Sequence, residues 1–319
     1  MLKNLTLTTA LLLAVASPAM AFTHTGEDVD KSMFEGREIA PDPWIDQCDV
    51  ERSFVPIEGK ENLYRHTNNT FPATHSGLVL IQDEGALVID AGNHCAAEWL
   101  RDEIKSRFDK DITLAILTHA HFDHLAGSAV YQDAGAKVIA QRNALEPIVG
   151  EKMPVAEPDI TFDEEMTVTF GDYEVLLHHE PAGNHSNSMV QVWIPELSAM
   201  QCTDVCQSQT FPYMDFLDFY YPGWIETLDW VIEKDPDVID VGHYSPATTE
   251  DQVALRDYMT DLHDQVLELH REGMPWDQLW RNVTAPSEYK DDWFGYELMR
   301  FANIQGMFRW VDNHRRGLW

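Results

Sequence analysis

Residues 118–127 read THAHFDHLAG and follow directly on the apolar run Leu114–Leu117 (LAIL). His119, His121, Asp123 and His124 place four side chains able to hold a metal within this stretch. A short apolar run bounded by polar residues predicts a buried strand. Where a strand opens into a loop, alternate side chains point the same way, so His119 and His121 can grip one ion. Asp123 and His124 then face a neighbouring position as the chain enters a helix predicted from about Leu125 to Asp133. The alternative is a solvated His-rich turn, which this spacing disfavours.

Upstream, short strands are predicted at Phe54–Ile57, Leu63–His66, Leu78–Gln82 and Ala86–Asp90, with Asp83-Glu84-Gly85 as a hairpin signal between the last two. Residues 67–77 (TNNTFPATHSG) read as a loop. A helix is expected over Ala96–Phe108 and a strand at Lys137–Ala140. Further strands are expected at Thr167–Phe170, Glu174–His178, Val190–Ile194, Ala199–Cys202 and Val238–Val241, with a helix at Ile225–Ile232. Hairpins mixed with strand-helix units predict sheets packed together with helices outside. The last 70 or so residues read as helical. One stripe runs through Leu255, Met259, Leu262, Val266 and Leu269 and stops at Gly273. A second runs through Phe294, Leu298, Phe301, Phe308 and Val311, with Arg315 and Arg316 near its end. Such stripes are core or docking surface before they are cofactor boxes.

HAHFDH resembles the HxHxDH signature of the metallo-β-lactamase-fold hydrolases, and four further segments match that family's pattern in order. PAGNHSNS supplies His185 before the strand MVQVWIP, SAMQCTDV supplies Asp204, DVIDVGHYSP supplies His243, and VIDAG supplies Asp90. The resemblance covers roughly residues 51–245. It implies an α/β four-layer αββα sandwich, here with a C-terminal helical extension. One zinc would be held by His119, His121 and His185, the second by Asp123, His124 and His243, with Asp204 bridging. Iron or manganese also suits these ligand types. Asp90 matches a carboxylate that orients a ligand histidine, with a plain turn-former as the alternative. The implied domain layout is a signal peptide at 1–21, an irregular lead-in at 22–50, a catalytic domain at 51–273 and a helical extension at 274–319.

The other nine histidines are read as surface or satisfied core residues. His75 and His94 are the better placed of them, yet both are read as non-ligands. Cys202 and Cys206 flank Asp204; either thiolate is a weaker candidate ligand than the carboxylate, and a disulfide involving one of them is the better alternative. The segment 205–224 (VCQSQTFPYMDFLDFYYPGW) is rich in aromatics. It predicts a wall or lid over the metals, with Tyr213, Tyr220 and Tyr221 as candidate substrate contacts, or a loop docked on the C-terminal helices, and the two are compatible.

The 319 residues include 54 acids against 22 Lys and Arg, a formal charge of −32. So acidic a surface repels phosphate backbones and anionic membranes, which argues against nucleic acid as a partner. The start reads as an export signal: Lys3, an apolar core from Leu5 to Val15, and Ala19-Met20-Ala21 as a cleavage site. The mature chain is therefore expected in a periplasm or outside the cell, without membrane insertion. Four cysteines (Cys48, Cys95, Cys202, Cys206) allow three pairings that spacing does not rank.

The resemblance implies hydrolysis of an ester, lactone or related small molecule by water activated between two metals, with Asp123 able to orient it or pass a proton. A class B-like β-lactamase is the alternative, disfavoured because that family's lactamases lack a bridging Asp. A mononuclear iron oxidoreductase or redox accessory protein is a third reading. A homodimer through the C-terminal helices is expected if their aromatic stripe is exposed.

Overall fold

The computed structural model describes residues 47–70, 73–181, 183–216, 218–285 and 293–314. The signal-like segment, the lead-in to residue 46, and Arg315 and Arg316 lie outside the described residues. Two sheets form among those described. The first contains β1 (Arg52–Pro56), β2 (Leu63–Asn68), β3 (His75–Gln82), β4 (Gly85–Ile89), β5 (Ile112–Ile116), β6 (Lys137–Gln141) and β7 (Ile160–Phe162), paired in chain order. Pairing is antiparallel up to β4 and parallel from β4 onward. The second contains β8 (Glu165–Phe170), β9 (Tyr173–His178), β10 (Gln191–Ile194), β11 (Ala199–Gln201) and β12 (Val238–Asp240), ordered β12-β11-β10-β9-β8, with β11 and β12 parallel.

Strand side chains alternate between faces, and both faces of the first sheet are apolar. Leu78, Leu80, Leu87 and Ile89 meet Val175, Leu177, Val190 and Val192 between the sheets. Val79, Ile81, Ala86 and Val88 face outward onto Leu100 and Ile104 of α1 (His94–Phe108) and Val130 of α3 (Ser128–Asp133). On the far side, Trp193, Met200 and Ile239 of the second sheet pack against three helices. These are α4 (Tyr221–Lys234), α5 (Thr249–Arg271) and α7 (Tyr296–His314), contributing Leu228, Leu255, Met259 and Met307, with the short α6 (Trp276–Asn282) adding Leu279 between α5 and α7. The order of layers is helix, sheet, sheet, helix. No described helix is long and apolar enough to cross a membrane.

Several expectations change. The helix read over Leu125–Asp133 is two pieces, α2 (Phe122–Leu125) and α3, parted at Gly127. A Cβ there would lie 2.5 Å from the Asn93 carbonyl oxygen at the start of α1, so the close crossing requires glycine. Strand β3 begins at His75 rather than Leu78, which removes residues 75–77 from the expected loop. The three-residue β7 had no visible pattern. The second C-terminal stripe is also displaced: Phe294 precedes α7 and is 66% exposed, and Phe301 is 43% exposed. Met299, Ile304 and Met307 join the expected Val311 on the buried face, and Phe308 packs partly buried against the same core. Leu298 lies outside the described side chains.

The polar residue on that buried face, Asn303, explains what α7 does. Its amide accepts from the Tyr258 hydroxyl (2.7 Å) and donates to the carbonyls of Pro212 (2.9 Å) and Met214 (2.6 Å). Arg309 donates to the Asp215 carboxylate (2.7 Å) and carbonyl (2.5 Å). The appended helix thus clamps the aromatic segment 205–224. A Cβ on Gly306 would lie 2.2 Å from the Asp215 carbonyl oxygen. Glycine to alanine normally stabilises a helix by about 1 kcal/mol. Here Gly306→Ala is expected to destabilise by about 1–3 kcal/mol through overpacking against backbone. Urea unfolding decides it, and a gain in stability would refute the clamp.

Candidate metal centre

All seven candidate ligands lie at one edge of the two sheets, six where the chain leaves a strand with a parallel neighbour and His185 where it leaves the antiparallel β9. That is where open α/β sheets place their sites, because strand ends release side chains into loops. His119 and His121 follow β5, and His121 is the residue before α2, whose first turn carries Asp123 and His124. His185 lies between β9 and β10, Asp204 follows β11 and His243 follows β12. Asp204 takes a left-handed backbone (φ 62°), which turns its carboxylate back into the cluster. Gly242 is needed beside it: a Cβ there would meet Thr203 Cγ2 at 2.6 Å.

Three overlapping groups result, each with one ligand atom per residue and all of these atoms within 4.8 Å of one another. They are His119, His121, His185 and Asp204; His124, Asp204 and His243; and His75, Asp123 and His243. Asp204 Oδ2 lies 3.3 Å from His119 Nε2, 3.1 Å from His124 Nε2 and 3.4 Å from His185 Nε2, while its Oδ1 lies 2.8 Å from His243 Nε2.

The far ring nitrogens are already engaged. The Thr118 hydroxyl donates to Asp90 Oδ2 (2.8 Å), so its oxygen accepts from His119 Nδ1 (3.1 Å). His243 Nδ1 donates to the Thr74 carbonyl (3.0 Å), and His124 Nδ1 faces Asp90 at 3.4 Å. His121 uses its other end: Nε2 sits 2.5 Å from Asp218, leaving Nδ1 3.0 Å from His185 Nε2. The nitrogens that remain converge, and His119 Nε2 and His124 Nε2 are buried with no hydrogen-bond partner. Buried polar atoms without partners are rare in folded proteins. Neutral imidazole nitrogens and carboxylate oxygens are the donors that zinc, iron or manganese accept, so the residues fit a metal pair.

Electrostatics point the same way. Burial works against the charged forms of Asp123 and Asp204, yet the surrounding imidazoles, His124 foremost, hold both carboxyls well below the usual range. Burial likewise opposes charge on His124, but Asp123 and Asp204 outweigh it and raise its pKa well above the ordinary value. His243 is raised by Asp204, and His121 by Asp218, each against burial. His119 goes the other way, pushed down to about 3 by burial and by His121.

Asp90 is buried and accepts from the Thr118 N–H (2.8 Å) and hydroxyl and from the Thr203 hydroxyl (3.3 Å), besides facing His124. It therefore ties the loops carrying His119, His124 and Asp204. Two participants were not foreseen. Asp218 carries no spacing signal, being one acid among the aromatics of 205–224. His75, read as a non-ligand, is instead buried with Nε2 3.2 Å from Asp123. It was overlooked because it begins a strand, and the antiparallel β3 brings its start to the edge where parallel strands end.

A cavity of about 620 Å³ opens above these residues. Phe211, Tyr213, Met214, Phe216, Tyr244 and Phe294 wall it, and no Lys or Arg lines it among the described residues. Of the three expected tyrosines only Tyr213 lines it. Tyr221 stacks on His263 and Tyr220 packs edge-on against Trp310, both turned toward the C-terminal helices. Cys48 and Cys95 form a disulfide. Cys202 and Cys206 are both free and buried, so the disulfide weighed as the alternative for one of them is not formed.

The family model described as the metallo-beta-lactamase superfamily matches residues 70–243, more than half of the chain. A metallo-beta-lactamase type 2 of Bacillus sp. (strain 170) is 26% identical over 180 residues, covering 54% of this chain and 69% of the relative. One from Bacillus cereus is 24% identical over 161 residues, and the match spans 50% of this chain and 62% of that relative's length. Among solved structures, the metallo-beta-lactamase FIM-1 from Pseudomonas aeruginosa, in its mono-zinc form, superposes with a TM-score of 0.59 at 19% identity, covering 67% of this chain and 96% of that one. The metallo-beta-lactamase from Pontibacter korlensis gives 0.58 at 20%, covering 66% and 99%. These two likenesses concern the fold.

Two outcomes follow from the geometry. Groups with raised pKa keep their proton to higher pH, so protons on His121, His124 and His243 are the ones an arriving cation must displace, while His119, lowered to about 3, carries none at neutral pH. Zinc affinity should therefore rise with pH through the imidazole range. Calorimetry at pH 7 in buffers of different ionisation heat should register proton release; none released would contradict the assignment. Replacing Asp218 with Asn should weaken one bound zinc about tenfold, the lower end for a partner behind a ligand. Competition against a chelating dye measures this, and unchanged affinity would remove Asp218 from the centre.

Proposed function

This chain belongs to the metallo-beta-lactamase superfamily and is a metal-dependent hydrolase; we propose that it is an exported, dinuclear zinc enzyme acting on a neutral, largely apolar ester or lactone. The observation that carries this reading is the pair of overlapping His/Asp clusters on the floor of an apolar cavity. His119, His121 and His185 would hold one ion and Asp123, His124 and His243 the other, with Asp204 between them. Bound there, the ions supply Lewis-acid polarisation of the acyl oxygen and lower the pKa of water towards ~7.

The protein's own groups do the rest. Asp123, ionised at neutral pH and 33% exposed at its side chain, faces the open side of the cluster and can orient water or carry a proton. The aromatic wall exchanges hydration water for apolar contact with the substrate. Tyr213, 59% exposed at the rim, offers a hydroxyl to a substrate oxygen. Export is supported by the Lys3–Ala21 pattern and by the Cys48–Cys95 disulfide, since such bonds persist in oxidising compartments.

The names of the matched Bacillus relatives favour a second reading, a class B-like β-lactamase. Against it stands the lining: a β-lactam carries a carboxylate, and the cavity presents Asp215 and Asp218 and, among the described residues, no Lys or Arg to receive it. The chain's charge of −32 adds a repulsive long-range field.

Zinc-loaded protein given matched chromogenic esters, lactones, sulfates, phosphodiesters and nitrocefin should turn over neutral esters or lactones most efficiently. Robust nitrocefin turnover without ester turnover would replace the leading reading by the second. The variant His121→Ala should lose at least about 100-fold in kcat/KM, more than the loss of a partner behind a ligand costs. Unchanged zinc content in that variant would count against the ligand assignment.

A further inference from the structure

We propose that His75 is an additional ligand of the second cluster, bringing it to five protein residues: His75, Asp123, His124, His243 and the bridging Asp204. The inference rests on the metal-centre reading above and extends it, because the superfamily pattern in this sequence supplies only the other four.

His75 is 8% exposed and sits at the first position of β3. Its backbone pairs across the sheets with His243, and the next N–H, of Ser76, donates to the Gly242 carbonyl (2.7 Å). The two imidazoles are thereby pinned together, with ring centroids 4.9 Å apart. On the far side of the ring, Nδ1 is 2.7 Å from the Thr70 hydroxyl, which itself donates to the Ala73 carbonyl (3.0 Å). A hydroxyl has one hydrogen, so with that hydrogen on Ala73 its oxygen accepts from His75 Nδ1–H. The Nε2 lone pair is then left bare, 3.2 Å from Asp123 Oδ2.

Two electron-rich atoms facing each other in a buried site repel unless a cation lies between them. The same arrangement recurs at His119, where Thr118 relays to Asp90, and at His243, where the Thr74 carbonyl takes the Nδ1 proton. His75 is thus prepared in the same manner as the ligand candidates, and its donor atom lies within 4.8 Å of those of Asp123 and His243. Five protein donors exceed the four of tetrahedral structural zinc. The second position is therefore built for a five- or six-coordinate ion, which zinc accepts in catalytic sites and which iron or manganese prefers.

The rival arrangement puts the proton on Nε2, making His75 a positioning residue that donates to Asp123 and touches no metal. Cobalt(II) separates the two. Full-length mature protein, stripped with chelator and reloaded with cobalt chloride, is titrated calorimetrically and examined by proton NMR. In that spectrum each cobalt-bound imidazole contributes one exchangeable, strongly shifted N–H. The expected wild-type result is two cobalt ions per chain and six such signals, from His75, His119, His121, His124, His185 and His243. His75→Ala should lose one signal and bind its second cobalt about tenfold or more weakly, with the first unchanged. Thr70→Val, which keeps the ring but removes its anchor, should keep six signals and weaken only the second ion.

Five signals in the wild type would overturn the proposal without recourse to any variant. So would an unchanged second affinity in His75→Ala, or weakened affinity with no signal lost, which is the signature of the positioning role. Failure of the wild-type protein to bind cobalt would instead bring down the metal-centre reading itself.

Discussion

Two carboxylates, Asp123 and Asp204, lie ionised at the junction of the two sheets among the nitrogens of six imidazoles. Removing an ionised group from water costs several kcal/mol even after relaxation, so such a cluster persists only when opposite charge offsets it. Much of the local architecture serves that requirement. Positive backbone angles at Asp90 and Asp204 turn both acids toward the histidines. Threonine hydroxyls hold the outward ring nitrogens of His75 and His119, a carbonyl that of His243, and carboxylates those of His121 and His124, which leaves their inward nitrogens facing the cluster. Positive backbone angles and orphaned buried nitrogens in one place mark a site organised around positive charge.

Holding the edge together falls to a second buried carboxylate network one layer below. Asp240, at the end of β12, accepts from Arg65 of β2, from the Ser76 hydroxyl (2.8 Å), from Gln201 (2.9 Å) and from the Gly242 N–H (3.0 Å). These bonds link strands of both sheets a few residues behind the cluster. The two sheets are therefore fixed in register where the ligands project, which is the condition for positioning donors contributed by distant stretches of chain. Breaking one partner of such a buried pair leaves the other charge uncompensated, so Arg65 and Asp240 matter to the site although neither touches it.

Above the cluster the chemistry reverses from polar to apolar. The aromatic segment walls the cavity, and α7 clamps that segment through Asn303 and Arg309. A loop that would otherwise sample many conformations is thereby given a fixed shape, and binding then costs less ordering entropy. The C-terminal helix thus fixes the shape of the cavity wall, and Met299 of α7 reaches the lining. The strongly acidic exterior and a lining without Lys or Arg among the described residues both support the proposed preference for uncharged substrates.

The sequence by itself determined the layered α/β fold and the four stretches that carry His119 to His124, His185, Asp204 and His243. Hydrophobic periodicity is local, and a motif confined to a strand end and its loop keeps its meaning wherever that strand lies. Asp90 was legible for the same reason. Tertiary structure alone decided His75, Asp218 and the role of α7. His75 reaches the cluster because an antiparallel neighbour reverses direction, and Asp218 because an irregular loop folds back toward His121. Tyr220 and Tyr221 turn away because helix α4 starts between the loop and the C-terminal helices. Gly127 and Gly306 look like ordinary helix breaks in the chain, yet each marks a crossing too tight for a Cβ. Contacts between segments far apart in sequence depend on chain direction and close approach, and neither is written in the local pattern of residues.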